Sequence, residues 1–138
     1  MAFVEYAESF NHNIKVLARD LARQFPNDAI VARIQKRTSA IIALDPLAVI
    51  DVAGPRLYKY REMIFGQGFA AFQHFIDYDF SADCHMNATD SEDTEMAMHI
   101  VPNVQKALRA VPAADQKSYW EILVSLLDDY IEYLAAKK

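Results

Sequence analysis

Apolar residues recur at Phe3, Ala7, Phe10, Ile14, Leu17, Leu21 and Phe25, in steps of three and four. That spacing puts them on one stripe of a helix, with Glu8, Asn11, Lys15, Arg19 and Asp20 on the other face. Pro26 disfavours a helical conformation at the residue before it, so the helix should stop near Phe25. Asn27 or Asp28 can then cap a second helix by accepting a hydrogen bond from a free backbone amide. Its core face is expected at Val31, Ile34, Thr38, Ile41 and Ile42, widened by Ile30 and Leu44.

Asp45-Pro46 reads as a restart, with Asp as cap and Pro at the first helical position. Leu47, Val49, Ile50 and Val52 follow, and Gly54-Pro55 is expected to break or kink the chain. Arg56 to Phe65 reads as a further helical stretch with Leu57, Tyr60 and Ile64 on one face. Gly66-Gln67-Gly68 reads as a turn. Phe69 to Ile76, with Phe72 and Phe75, reads as a helical turn or two on the core.

Residues 77–94 differ from all this. They are acidic and polar with no period, which reads as a long, flexible, exposed loop. Glu95 to Ala110 reads as helical, interrupted by Pro102, and Pro112 suits the first turn of a last helix. That helix is apolar over most of its circumference. One stripe is Trp120, Leu123, Leu127, Tyr130 and Leu134; a second is Tyr119, Ile122, Leu126 and Tyr133. Such a helix is either central to a bundle or shared with a partner.

Composition narrows the class. With 138 residues and 53% hydrophobic residues, the chain can bury a core without a disulfide or a metal. Only 3 glycines argue against a turn-rich all-β fold. The net charge of −5 disfavours nucleic acid as a partner, because phosphate neutralisation needs a basic surface. Two local basic clusters, Arg33, Lys36 and Arg37, then Arg56, Lys59 and Arg61, read as solvated helix faces. Cys84 is the one cysteine, which fits an intracellular, reducing compartment. No apolar run is long enough for a membrane span, and the first residues lack the pattern of a signal peptide.

Candidate chemistry is weak throughout. From Asp77, an EF-hand would need Gly at the sixth position and Glu at the twelfth, where Ala82 and Ala88 stand. Cys84 and His85 are adjacent and have no second cysteine, so they do not make a zinc set. A thiol nucleophile at Cys84, paired with His74, His85 or His99, would sit among acids that raise its pKa. Asp128, Asp129, Glu92, Asp93 and Glu95 read as polar-face and helix-start carboxylates. Thr89 and Ser91 lie among acids and are potential phosphorylation sites. No phosphate loop or nucleophile elbow is present.

The landmarks follow a recognisable order. Phe25-Pro26-Asn27-Asp28 ends the first helix, then come Asp45-Pro46-Leu47-Ala48-Val49-Ile50 and Tyr60-Arg61-Glu62-Met63-Ile64. An aromatic cluster precedes Asp77-Tyr78-Asp79, and the last helix carries Lys117-Ser118-Tyr119-Trp120-Glu121-Ile122-Leu123. This order resembles small uncharacterised helical proteins of nucleocytoplasmic large DNA viruses, the giant-virus lineage. The chain departs from them at Lys59, at Gly66-Gln67-Gly68 and at Trp120 after Tyr119. The resemblance implies a viral setting, host cytoplasm or virion, and brings no catalytic residues.

The expectation is therefore an all-α chain, one domain over 1–138. It would be a compact bundle of about five or six helices with one long acidic loop. The expected function is a non-catalytic binding or adaptor module for another protein, with no cofactor and no metal. Its candidate partner surface is Tyr119, Trp120, Leu126, Tyr130 and Tyr133, because Tyr and Trp are enriched at binding hot spots. Self-association, a structural role in a virion or other assembly, and an enzyme with an unfamiliar site remain as alternatives.

Overall fold

The computed structural model describes residues 2–77, 105–106 and 108–138, and no strand occurs among them. The fold is all-α over these residues. The acidic stretch beyond Asp77, with Asp79, Asp83, Cys84, His85, Thr89, Ser91, Glu92, Asp93, Glu95, His99 and Pro102, lies outside them, as does the side chain of Phe75. Six helices have both ends in the described residues: α1 Ala2–Gln24, α2 Ala29–Leu44, α3 Ala48–Lys59, α4 Arg61–Gln67, α5 Ala70–Asp77 and α6 Ala113–Lys137. Residues 105–106 and 108–110 are helical as well, which takes the count past five or six.

Helix α1 forms where its stripe requires. Ala7, Phe10, Ala18 and Leu21 are buried, and the helix stops before Pro26. Asp28, the second of the two expected caps, starts α2: its Oδ1 accepts from the amides of Ile30 and Val31 at 3.0 and 3.2 Å. These bonds satisfy amides that the first turn of a helix leaves without intrahelical partners.

At Asp45 the chain restarts, three residues before α3 itself. The Asp45 carboxylate accepts from the Leu47 amide at 3.0 Å, closing a turn around Pro46, and regular helix begins at Ala48. The turn is also held from outside, because the buried Asn11 of α1 donates from Nδ2 to the Pro46 carbonyl at 2.8 Å.

The expected break at Gly54-Pro55 does not occur. Helix α3 runs through both residues to Lys59, and the interruption falls at Tyr60, whose φ of −104° and ψ of 17° leave the helical region. Pro55 removes one backbone donor, a local cost of about 3 kcal/mol. Packing overrides it. Gly54 is buried flat against the Tyr130 ring of α6, and a Cβ there would collide with ring carbons. The second turn centres on Gly68, whose φ of 59° favours glycine.

Helix α6 is the spine. Phe3 meets Tyr133 and Gln24 meets Tyr119, so α1 runs antiparallel along its length. Three apolar clusters form, and α6 contributes to all of them. The first joins α1 and α3 to Leu126, Tyr130 and Tyr133. The second joins Ile64 of α4 and Ala71, Phe72 and Ile76 of α5 to Trp120 and Leu127. The third joins Leu21, Val31 and Val111 to Tyr119. Arg109 ties the 108–110 stretch to α5, donating to the Ile76 carbonyl at 2.9 Å and pairing with Asp77 at 3.3 Å. A cation at that helix end also complements the dipole.

Candidate functional site

The five residues expected to face a partner do not face solvent. Tyr119, Trp120, Leu126, Tyr130 and Tyr133 are all buried. Of the two meanings of a broadly apolar helix, the central position in a bundle is the one realised. Trp120 packs edge-on against Phe72 with ring centres 6.0 Å apart, and Tyr130 meets Tyr58 in the same way at 6.1 Å.

Their polar atoms are engaged too. The Tyr133 hydroxyl donates to Asp51 Oδ1 at 2.8 Å, and Lys137 Nζ donates to the Tyr133 hydroxyl oxygen at 3.4 Å. Burial, with the Asp51 carboxylate beside it, pushes the Tyr133 pKa up to about 12. Gln24 donates to the Tyr119 hydroxyl at 2.6 Å. Burial raises the Tyr119 and Tyr130 hydroxyls as well, helped by Asp20 and Asp51 respectively. Ser9 donates to Asp129 at 2.9 Å across the α1–α6 contact, and partial burial raises the Asp129 carboxyl despite that bond. These groups join helices at their ends and middles. Each has the geometry of a latch between α6 and a neighbour.

The large apolar side chains left in solvent lie elsewhere. Leu44 is 88% exposed, Val52 58%, Phe65 48%, Phe69 43% and Ile41 42%. Ile41 and Leu44 were expected to line the inner face of α2. Val31 is buried, and Ile34, Thr38 and Ile42 are half-buried. At 100° per residue, Ile41 and Leu44 instead share an outer stripe with Arg33 and Arg37. Among the described residues helix α2 rests mainly on α1 and meets α3 beyond that, and Ile41 and Leu44 on its other side are exposed.

Chemically, this stripe has two halves. Arg33, Lys36 and Arg37 are exposed toward the N-terminal half, and no Asp or Glu lies within Ala29–Leu44. Ile41 and Leu44 follow toward the C-terminal end. Asp28 and Asp45 flank the helix with their carboxylates held on backbone amides. A local positive, partly apolar surface thus sits on a chain whose net charge is −5. The basic triplet was visible in the sequence as a solvated face; its continuity with exposed apolar residues was not. The signal was there in the i, i+4, i+8 and i+11 spacing of Arg33, Arg37, Ile41 and Leu44.

In the other basic cluster Lys59 and Arg61 are engaged locally, while Arg56 is exposed. Arg61 lies 4.1 Å from the centre of the Tyr58 ring and donates to the Tyr58 carbonyl at 3.0 Å, and Lys59 sits over Tyr60. Among the described residues no group of three or more His, Cys, Asp or Glu could hold a metal ion. No helix among them is long and apolar enough to cross a membrane. No protein-family model, no curated protein and no solved structure matches the chain.

Proposed function

We propose that this protein is a non-catalytic binding module that docks another protein on the outer face of α2. The observation that carries this reading is the pairing of the exposed Ile41 and Leu44 with the exposed Arg33, Lys36 and Arg37 on one helix. Exposed Leu and Ile side chains gain free energy when a partner covers them, about 1.5–3 kcal/mol each when buried in full. The neighbouring cations supply orientation and rate of encounter. In the setting that the order of sequence landmarks implies, a large DNA virus, the partner is a protein of the infected cell or of the particle.

A photoreactive amino acid in place of Leu44 tests the reading in cells that make the protein. A single adduct of defined mass is expected from position 44, and none from the exposed Ser125 of α6. Equal labelling from both positions, or none from position 44, would refute it.

A further inference from the structure

Resting on the α2 docking reading, we infer that the partner segment is acidic and amphipathic: carboxylates over Arg33 and Lys36, and apolar side chains over Ile41 and Leu44. The argument is one of charge and order along the helix. Helix α2 holds three cations and no acid between Ala29 and Leu44. Arg33 and Lys36 make no ion pair with the described residues, so their charge is open to a ligand. The stripe from Arg33 to Leu44 covers about 16 Å at the rise of an α-helix. Three turns of a partner helix match that length, with acids at one end and apolar residues at the other.

Other occupants fit less well. A nucleic acid would use the cations but leave Leu44 and Ile41 uncovered, and it would meet an acidic chain as a whole. A second copy docked antiparallel about a two-fold axis would set each basic end over the other copy's Ile41 and Leu44, and α2 has no acid to pair with the cations. An anionic bilayer would be entered by only two large apolar side chains of α2. The remaining ones, Ile30, Val31, Ile34 and Ile42, are buried or half-buried.

The test uses the full chain and defined probes. One is a labelled helical peptide with Leu at every third and fourth position and Glu flanking them. The second has Lys in place of each Glu, and the third is a vesicle of phosphatidylcholine and phosphatidylserine. The acidic peptide is expected to bind, to weaken with added salt, and to lose about tenfold in affinity with Arg33→Glu plus Lys36→Glu. Leu44→Asp is expected to cost at least about tenfold as well. Thermal melts of these variants, unchanged from the parent, show that the fold is intact. Equal binding of both peptides, lost in Leu44→Asp, would overturn the acidic partner and leave the docking face in place. Preference for the vesicle would overturn a protein partner altogether. Binding to neither peptide overturns the inference, and the crosslink from position 44 then decides whether the docking reading falls with it.

Discussion

Helices α6 and α2 are both rich in apolar residues, and they treat them in opposite ways. In α6, Leu126, Tyr130 and Tyr133 are buried in one cluster and Trp120 and Leu127 in another. In α2 only Val31 is buried, while Ile41 and Leu44 remain in solvent. The difference follows from position. Helix α6 is covered by α1, by α3 and by the α4–α5 pair, so most of its circumference finds apolar contact, and a narrow strip with Glu121, Ser125, Asp128 and Glu132 faces solvent. Among the described residues helix α2 lies at the edge, mainly against α1 and α3, and reaches α6 through Val31 and Tyr119. A wide apolar face marks a binding surface only where the fold runs out of neighbours to cover it.

The strongest way to break this contrast is Trp120→Ala. Removing a buried Trp from the α6 side should cost about 3–5 kcal/mol, measured by urea unfolding. A loss below about 1 kcal/mol would mean that the ring carries little of the core, and α6 would no longer differ from α2.

Next in size is Gly54→Ala. The added methyl meets the Tyr130 ring, and the two helices must part. Alanine is intrinsically the better helix former by about 1 kcal/mol, yet overpacking should dominate, with a net loss of about 1–3 kcal/mol. Tyr130→Leu in the same chain removes ring atoms that the methyl strikes. The double variant should then be more stable than the sum of its single changes predicts. Strict additivity would show that α3 does not lean on α6 through this glycine.

Much of this architecture was legible along the chain. The α1 stripe, the Asp28 cap and the stop before Pro26 follow from local rules that tertiary packing did not oppose. The run of α3 through Pro55 was not legible. The rule for proline is local, whereas the Tyr130 ring against which Gly54 packs lies far along the sequence. The breadth of α6 was legible, but its meaning was not, because periodicity gives the width of an apolar face and not the number of helices that cover it. For α2 the reverse held. The inward stripe was drawn two residues too wide, so Ile41 and Leu44 were placed inside. Their register with Arg33 and Arg37 carried the correct direction.

The titration of Tyr133 sharpens the α6 side further. Its hydroxyl keeps its proton to about pH 12 in the folded chain, against 10.0 as its ordinary value. Between those values the unfolded chain has released the proton and the folded chain has not. The folded state therefore binds more protons, and stability falls as pH rises through the window from 10.0 to about 12. Tyr133→Phe should cost about 1–2 kcal/mol at neutral pH, through the lost bond to Asp51. That gap should close as pH rises above 10.0, because phenylalanine has no proton to lose. Denaturant midpoints measured across this range check it, and a gap that stays constant would place the hydroxyl outside the folding equilibrium.

The smallest expected effect concerns stability at α2, and it decides what the exposed stripe is for. Leu44 is 88% exposed, so Leu44→Ser removes little buried surface and should shift stability by less than about 0.5 kcal/mol. A residue that contributes so little to folding has no structural reason to be leucine. The same substitution should nonetheless weaken capture of the acidic peptide, because the leucine becomes buried only when a partner covers it. If Leu44→Ser destabilises the chain by more than about 1 kcal/mol, the residue is covered in the folded protein. The outer face of α2 would then be core in the same sense as α6. If stability holds and binding falls, the two helices differ in function as they do in position.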